Sequence, residues 1–212
     1  MSFGRIYAIA LNTYREAVRD KVLFGVLVFA AGVLALTLAL GELSLDQQMR
    51  VVTDLGLASI SIFSVVIAIF LGSSLLYKEI ERKTLYVILP KPIARFEFLL
   101  GKYLGIVATC AVFIAIMGAL QLFVTAVQAE ASTALVVAVP LALLVLLGLG
   151  FLLAKDRTLV VPIWSLVALG ASIWVCSTVD VELFRLLASF ALNVGEVLIL
   201  AAVALLFSSF ST

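Results

Sequence analysis

The stretch YLGIVATCAVFIAIMGALQLFVTAV, residues 103–127, carries no formal charge over its whole length. About 20 residues of helix cross a hydrocarbon core of ~30 Å. No water is available there to bond N–H and C=O groups, so a chain in that core must close its hydrogen bonds internally, as an α-helix does. Residues 103–127 therefore read as a membrane-spanning helix, and their neighbours are read from that starting point.

Five more stretches meet the same length requirement: 22–41, 55–77, 134–154, 159–179 and 186–207. Only the last contains a charge, Glu196. The chain is 65% hydrophobic and 13% charged with a mean hydropathy of +1.28, against about 45–50% and about 25% in soluble domains. There is no linker, low-complexity run or alignable repeat. The expectation is an all-α polytopic membrane protein, one transmembrane domain over 1–212 with about six spanning helices.

Lys and Arg set the orientation, because cytoplasmic loops retain positive charge. Arg5, Arg15, Arg19 and Lys21 precede the first span, Lys78, Arg82, Lys83, Lys91, Arg95 and Lys102 lie between the second and third, and Lys155 and Arg157 lie between the fourth and fifth. The alternate loops hold only Arg50 and Arg185, beside Glu42, Asp46, Asp54, Glu130, Asp180 and Glu182. Both termini are expected in the cytoplasm. Residues 1–21 lack the apolar core and cleavage site of a signal peptide. They read instead as an amphipathic interfacial helix, with Phe3, Ile6, Tyr7, Ala10, Tyr14, Ala17 and Val18 on one face.

The sequence contains no His and only two cysteines, Cys110 and Cys176, in separate spans. That inventory supports no metal, haem or iron–sulfur site. The G-x-S-x-G, H-E-x-x-H and G-x-x-x-x-G-K-[ST] signatures are absent, so ATP, if used, is held by another chain. Gly25, Gly32, Gly41, Gly72, Ser73 and Ser74 are small residues suited to close helix packing. Pro140 and Pro162 read as kinks that neighbouring helices tolerate.

Function is most legible in residues 78–102, KEIERKTLYVILPKPIARFEFLLGK. Glu79, Glu81, Arg82 and Lys83 carry the second helix past the membrane. Thr84, Leu85, Tyr86, Val87, Ile88 and Leu89 form a short apolar run, which Pro90 and Pro92 end in a turn around Lys91. Two readings stand at this point. The segment is a docking helix that seats in a groove on a cytosolic protein, or a loop whose cations meet anionic headgroups.

The run YKEIERKTLYVILPKPIARFEFLLGKYLG resembles the stretch between the second and third spans of permease subunits of ABC transporters of the type 2 exporter class. The matching residues are Glu79, Glu81, Arg82, Lys83, Thr84, Leu85, Lys91, Pro92, Arg95, Gly101 and Lys102. The N-terminal AIALNTYREAVRDKVLF resembles that family's interfacial helix at Asn12, Arg15, Glu16, Arg19 and Asp20, and LLFSSFST is a further, weaker likeness. The resemblance implies a coupling helix at 82–89 seated on a separate ATP-binding subunit, with Lys91 to Arg95 setting its angle. It implies ATP and Mg on that partner, no cofactor on this chain, a second permease copy or half, and residence in the plasma membrane, in bacteria the inner one. No nucleic-acid partner is expected. The alternative is a non-transporting membrane adaptor or assembly factor that recruits a cytosolic partner through the same loop. Residues 134–179 look like an added helical pair, and the family usually continues beyond the FSSFST-like motif, so a longer parent chain is also an expectation.

Glu196 lies near the middle of the last span, where ionisable groups are costly and face protein or water. Asn193 lies one turn earlier, within reach of a hydrogen bond. The pair reads either as a substrate or proton contact or as a structural polar pair within the bundle.

Overall fold

The computed structural model describes residues 3–43, 47–81, 95–154, 157–179 and 181–210. Among them lie seven α-helices and no strand: α1 (Phe3–Val18), α2 (Lys21–Leu43), α3 (Gln48–Glu81), α4 (Arg95–Gln128), α5 (Thr133–Leu153), α6 (Val160–Cys176) and α7 (Leu183–Phe210). A 3-10 turn, Arg157–Leu159, leads into α6. Five helices are long and apolar enough to cross a membrane: α2, α3 to Ser73, α4 from Phe96, α5, and α7 to Ser208. The expected fifth span is α6, whose 17 residues reach about 26 Å at 1.5 Å per residue. The described residues thus form an all-α protein with five full-length apolar helices and one shorter one.

Local signals explain several boundaries. The Asp20 carboxylate accepts the Val22 N–H at 3.0 Å, capping the start of α2 and ending α1. At the end of α4, Ala131 N donates to Ala126 O at 3.1 Å, with Glu130 between them at φ 57°. This is a Schellman-type stop in which Glu130 takes the left-handed position usually given to glycine.

The helices divide into two bodies. The first comprises Met1–Val26, Ser64–Ala111 and Val194–Thr212. Its core includes Ile6, Ala17, Ile67, Leu71, Ile106, Val197 and Ala201. Gly72 lies against Ala204, where an added Cβ would come within 2.6 Å of the alanine methyl. Tyr103 Oη donates to Leu198 O at 3.1 Å, joining α4 to α7.

The second body comprises Leu27–Phe63 and Val112–Asn193. Val52, Ile60, Phe113, Met117, Leu122 and Phe190 are buried in it. Phe29 of α2 meets Phe63 of α3 edge to face at 5.6 Å. Gly118 of α4 leaves room for the Phe190 ring, and Cys176 Sγ donates to Leu122 O at 3.1 Å. Trp164 Nε1 donates to Leu143 O at 2.8 Å, pairing α6 with α5. Gly150 admits Val160 at the same hairpin. α5 itself buries no residue and is apolar on every side, as a helix surrounded by lipid is.

Close packing falls partly where small residues suggested it. Gly41 and Gly72 are contact points, Gly25 and Gly32 face open space, and Gly56, Gly101, Gly105 and Gly118 form contacts their positions in sequence did not reveal.

Candidate functional site

The segment expected to dock a partner is flanked by two long helices. α3 and α4 have 34 residues each, about 51 Å at 1.5 Å per residue, against a hydrocarbon core of ~30 Å. Glu79 and Glu81 lie in the last turn of α3, and Arg95 is the first residue of α4. Arg82, Lys83, Thr84, Leu85, Tyr86, Ile88, Leu89, Pro90, Lys91 and Pro92 lie outside the described residues, as does the coupling helix expected at 82–89.

The first turns of α4 are clasped by α1. A Cβ at Gly101 would come within 2.7 Å of Ile9 Cβ, and one at Gly105 within 2.6 Å of Thr13 Cβ. The two glycines are four residues apart on one face, the small-xxx-small spacing that lets helix backbones approach closely. α1 turns Ile6, Thr13, Tyr14 and Ala17 inward, a 3.6-residue periodicity. Phe3 and Tyr7, expected on the apolar face that meets the membrane surface, are exposed. Burial pushes the Tyr14 phenol up to about 12, and its hydroxyl has no hydrogen-bond partner.

Lys102 counts toward the basic loop in sequence but is only 2% exposed. Its ammonium lies 4.9 Å from the centre of the Phe98 ring, a cation–π distance. Glu97 is buried as well. Both residues belong to the packed base of α4.

Asn193 is half-buried and Glu196 is exposed, on the same helix α7. The buried Nδ2 of Asn193 has no hydrogen-bond partner, so the amide does not donate to the Glu196 carboxylate as their spacing allowed. A turn's separation on a helix leaves residues three apart about 60° out of line, enough to put one on the packed side and the other on the open side.

A different set of charges converges. A cleft of about 520 Å³ in the second body is lined by Arg50, Thr53, Asp54, Thr125, Glu182 and Arg185, with Met49, Val181 and Leu186 as apolar wall. Arg50 and Asp54 are one turn apart on α3, with Nε to Oδ2 at 3.7 Å. Arg185 on α7 sits 3.5 Å from Glu182 and 4.0 Å from Asp54. These distances exceed the ~2.7–2.9 Å of a charge-assisted hydrogen bond, and the side chains are 53–79% exposed. Such pairs contribute roughly 0–1 kcal/mol to stability, so they do little for the fold. Thr53 and Thr125 donate to Met49 O and Gln121 O, each at 2.6 Å.

The structure thus brings together Arg50 and Arg185, the two bases of the otherwise acidic loops, which sequence reasoning used only for orientation. A signal was present: each base stands at a helix start with a carboxylate one turn away. No group of three or more His, Cys, Asp or Glu side chains suited to a metal occurs among the described residues. Comparison with protein-family models, curated proteins and solved structures finds no match to this chain.

Proposed function

We propose that the chain is the membrane-spanning permease subunit of an ATP-driven exporter, moved by a separate ATP-binding subunit that seats on residues 78–102. The observation that carries this reading is the length of α3 and α4. Each is about 20 Å longer than a hydrocarbon core requires, and their ends hold Glu79, Glu81 and Arg95 of the resembling run. A lever of continuous helix on either side of the loop suits mechanical coupling. The clasp of α1 on Gly101 and Gly105 gives the loop's exit a fixed base, with the buried Lys102 between the two glycines.

In this reading ATP and Mg belong to the partner, which contacts the loop differently before and after hydrolysis. That difference in contact free energy shifts the permease between two conformations. A second permease copy or half completes the pathway, in the plasma membrane with both termini cytoplasmic.

Co-purification with the ATP-binding subunit tests the proposal. Arg82→Glu and Leu85→Asp are expected to abolish capture of that subunit and to remove stimulation of its ATPase. Capture and stimulation at the level of the unaltered chain in both variants would overturn the coupling role.

A further inference from the structure

We infer that the cleft between the starts of α3 and α7 binds a phosphate ester whose head group carries hydroxyls. The inference stands on the cleft alone and goes beyond the ATPase-coupled reading, which concerns residues 78–102.

The volume of about 520 Å³ falls within the ~300–1,000 Å³ of small-molecule sites. Its donors are two guanidiniums, Arg50 and Arg185, each with five N–H groups in a planar fork matched to phosphate oxygens. Their carboxylate neighbours stand at 3.5–4.0 Å, longer than a made charge-assisted bond, so most of those N–H groups are open to a ligand. Asp54 lies near both bases, so the two forks approach one point. A phosphate ester offers two or three anionic oxygens on a tetrahedral centre, enough to engage both forks.

The rest of the lining accepts rather than donates. Thr53 and Thr125 spend their hydroxyl protons on Met49 O and Gln121 O, which leaves their oxygens as acceptors. Glu182 is an acceptor when ionised, while Asp54 competes with the ligand for the two guanidiniums. Two positive and two negative side chains balance, so the cleft does not favour a bare polyanion. Its complement is an anion that also brings hydroxyl donors, a polyol phosphate. Such a group arises free in solution, as glycerol 3-phosphate, or at the head of a lipid, as phosphatidylglycerol.

Binding to the purified full-length chain tests this, with glycerol 3-phosphate and inorganic phosphate in lipid-free detergent, and with nanodiscs of phosphatidylglycerol or phosphatidylcholine. Saturable binding of glycerol 3-phosphate about tenfold tighter than phosphate, or a preference for phosphatidylglycerol over phosphatidylcholine, supports the site and identifies the free or the lipid source. In either arm Arg50→Gln and Arg185→Gln each weaken binding about tenfold. Asp54→Asn strengthens it several-fold by removing the competing carboxylate, an effect that a purely structural ion network would not produce. The unfolding temperature of each variant shows that it is folded. Absence of binding in both arms, binding insensitive to the two arginine changes, or weaker binding in a folded Asp54→Asn chain would overturn the assignment.

Discussion

The side chain of Gln121 on α4 lies across the backbone of Gly56 on α3, in the space a Cβ at position 56 would fill. From there Gln121 Nε2 donates to Val52 O at 3.3 Å, one helical turn before the glycine. Gln121 is fully buried, and only a residue without a side chain at 56 lets its amide reach the neighbouring backbone. Gly56→Ala is expected to cost about 1–3 kcal/mol through overpacking. In a Gln121→Ala background most of that cost should vanish, a coupling that thermal unfolding of the four chains in detergent measures.

The clasp of α1 on α4 depends on Gly105 in the same way. Gly105→Val forces Thr13 outward and is expected to release α1. Limited trypsin digestion should then cut after Arg15 and Arg19 at least several-fold faster than in the unaltered chain.

Tyr14 makes that clasp sensitive to alkali. Its phenol titrates from an ordinary value of 10.0 in the unfolded chain and about 12 in the folded one. Its contribution is therefore complete below pH 10 and is lost as pH rises toward 12, where the unfolded state gives up a proton that the folded state keeps. Tyr14→Phe should flatten this part of the stability profile. It should also raise stability at neutral pH, because it removes a buried hydroxyl without a partner, an omission costing roughly 1–3 kcal/mol.

Glu130 occupies a left-handed conformation at φ 57° that costs an ordinary residue roughly 1–2 kcal/mol. Glycine adopts it freely but loses more chain entropy on folding. The expected net result of Glu130→Gly is a gain of about 0.5–1 kcal/mol, read as a higher unfolding temperature.

Orientation is open to direct labelling. Cys110 and Cys176 are buried, so cysteines introduced at Lys91 and Arg50 report on their own positions. A membrane-impermeant maleimide is expected to reach position 50 from outside intact cells and position 91 only after the cells are opened. The reverse pattern would invert the topology.

Much of the fold was legible because apolar length is a local property. Five of the six expected spans correspond to full-length apolar helices, and the exception, α6, gives up Leu159 to the 3-10 turn before it and residues 177–179 to the turn after Cys176. Contacts across helices were less legible. Gly101 and Gly105 look like Gly25 and Gly32 in sequence, yet only the first two meet a neighbouring helix. Lys102 reads as part of a basic loop because charge says nothing of burial. The meeting of Arg50 with Arg185 joins residues 135 positions apart (185 − 50), which no local pattern reports. Asn193 and Glu196 share a helix and a spacing, but a rotation of about 60° separates their surroundings.

α5 buries none of its residues, and its surface is apolar all the way round. Beyond its packing on α6, to which Trp164 and Val160 contribute, its side chains face the surrounding medium. Exchanges among Leu, Val, Ile and Phe along it should pass with little effect. Natural variation there is expected to run fast while overall greasiness stays fixed, so this helix is held to a composition rather than to a sequence.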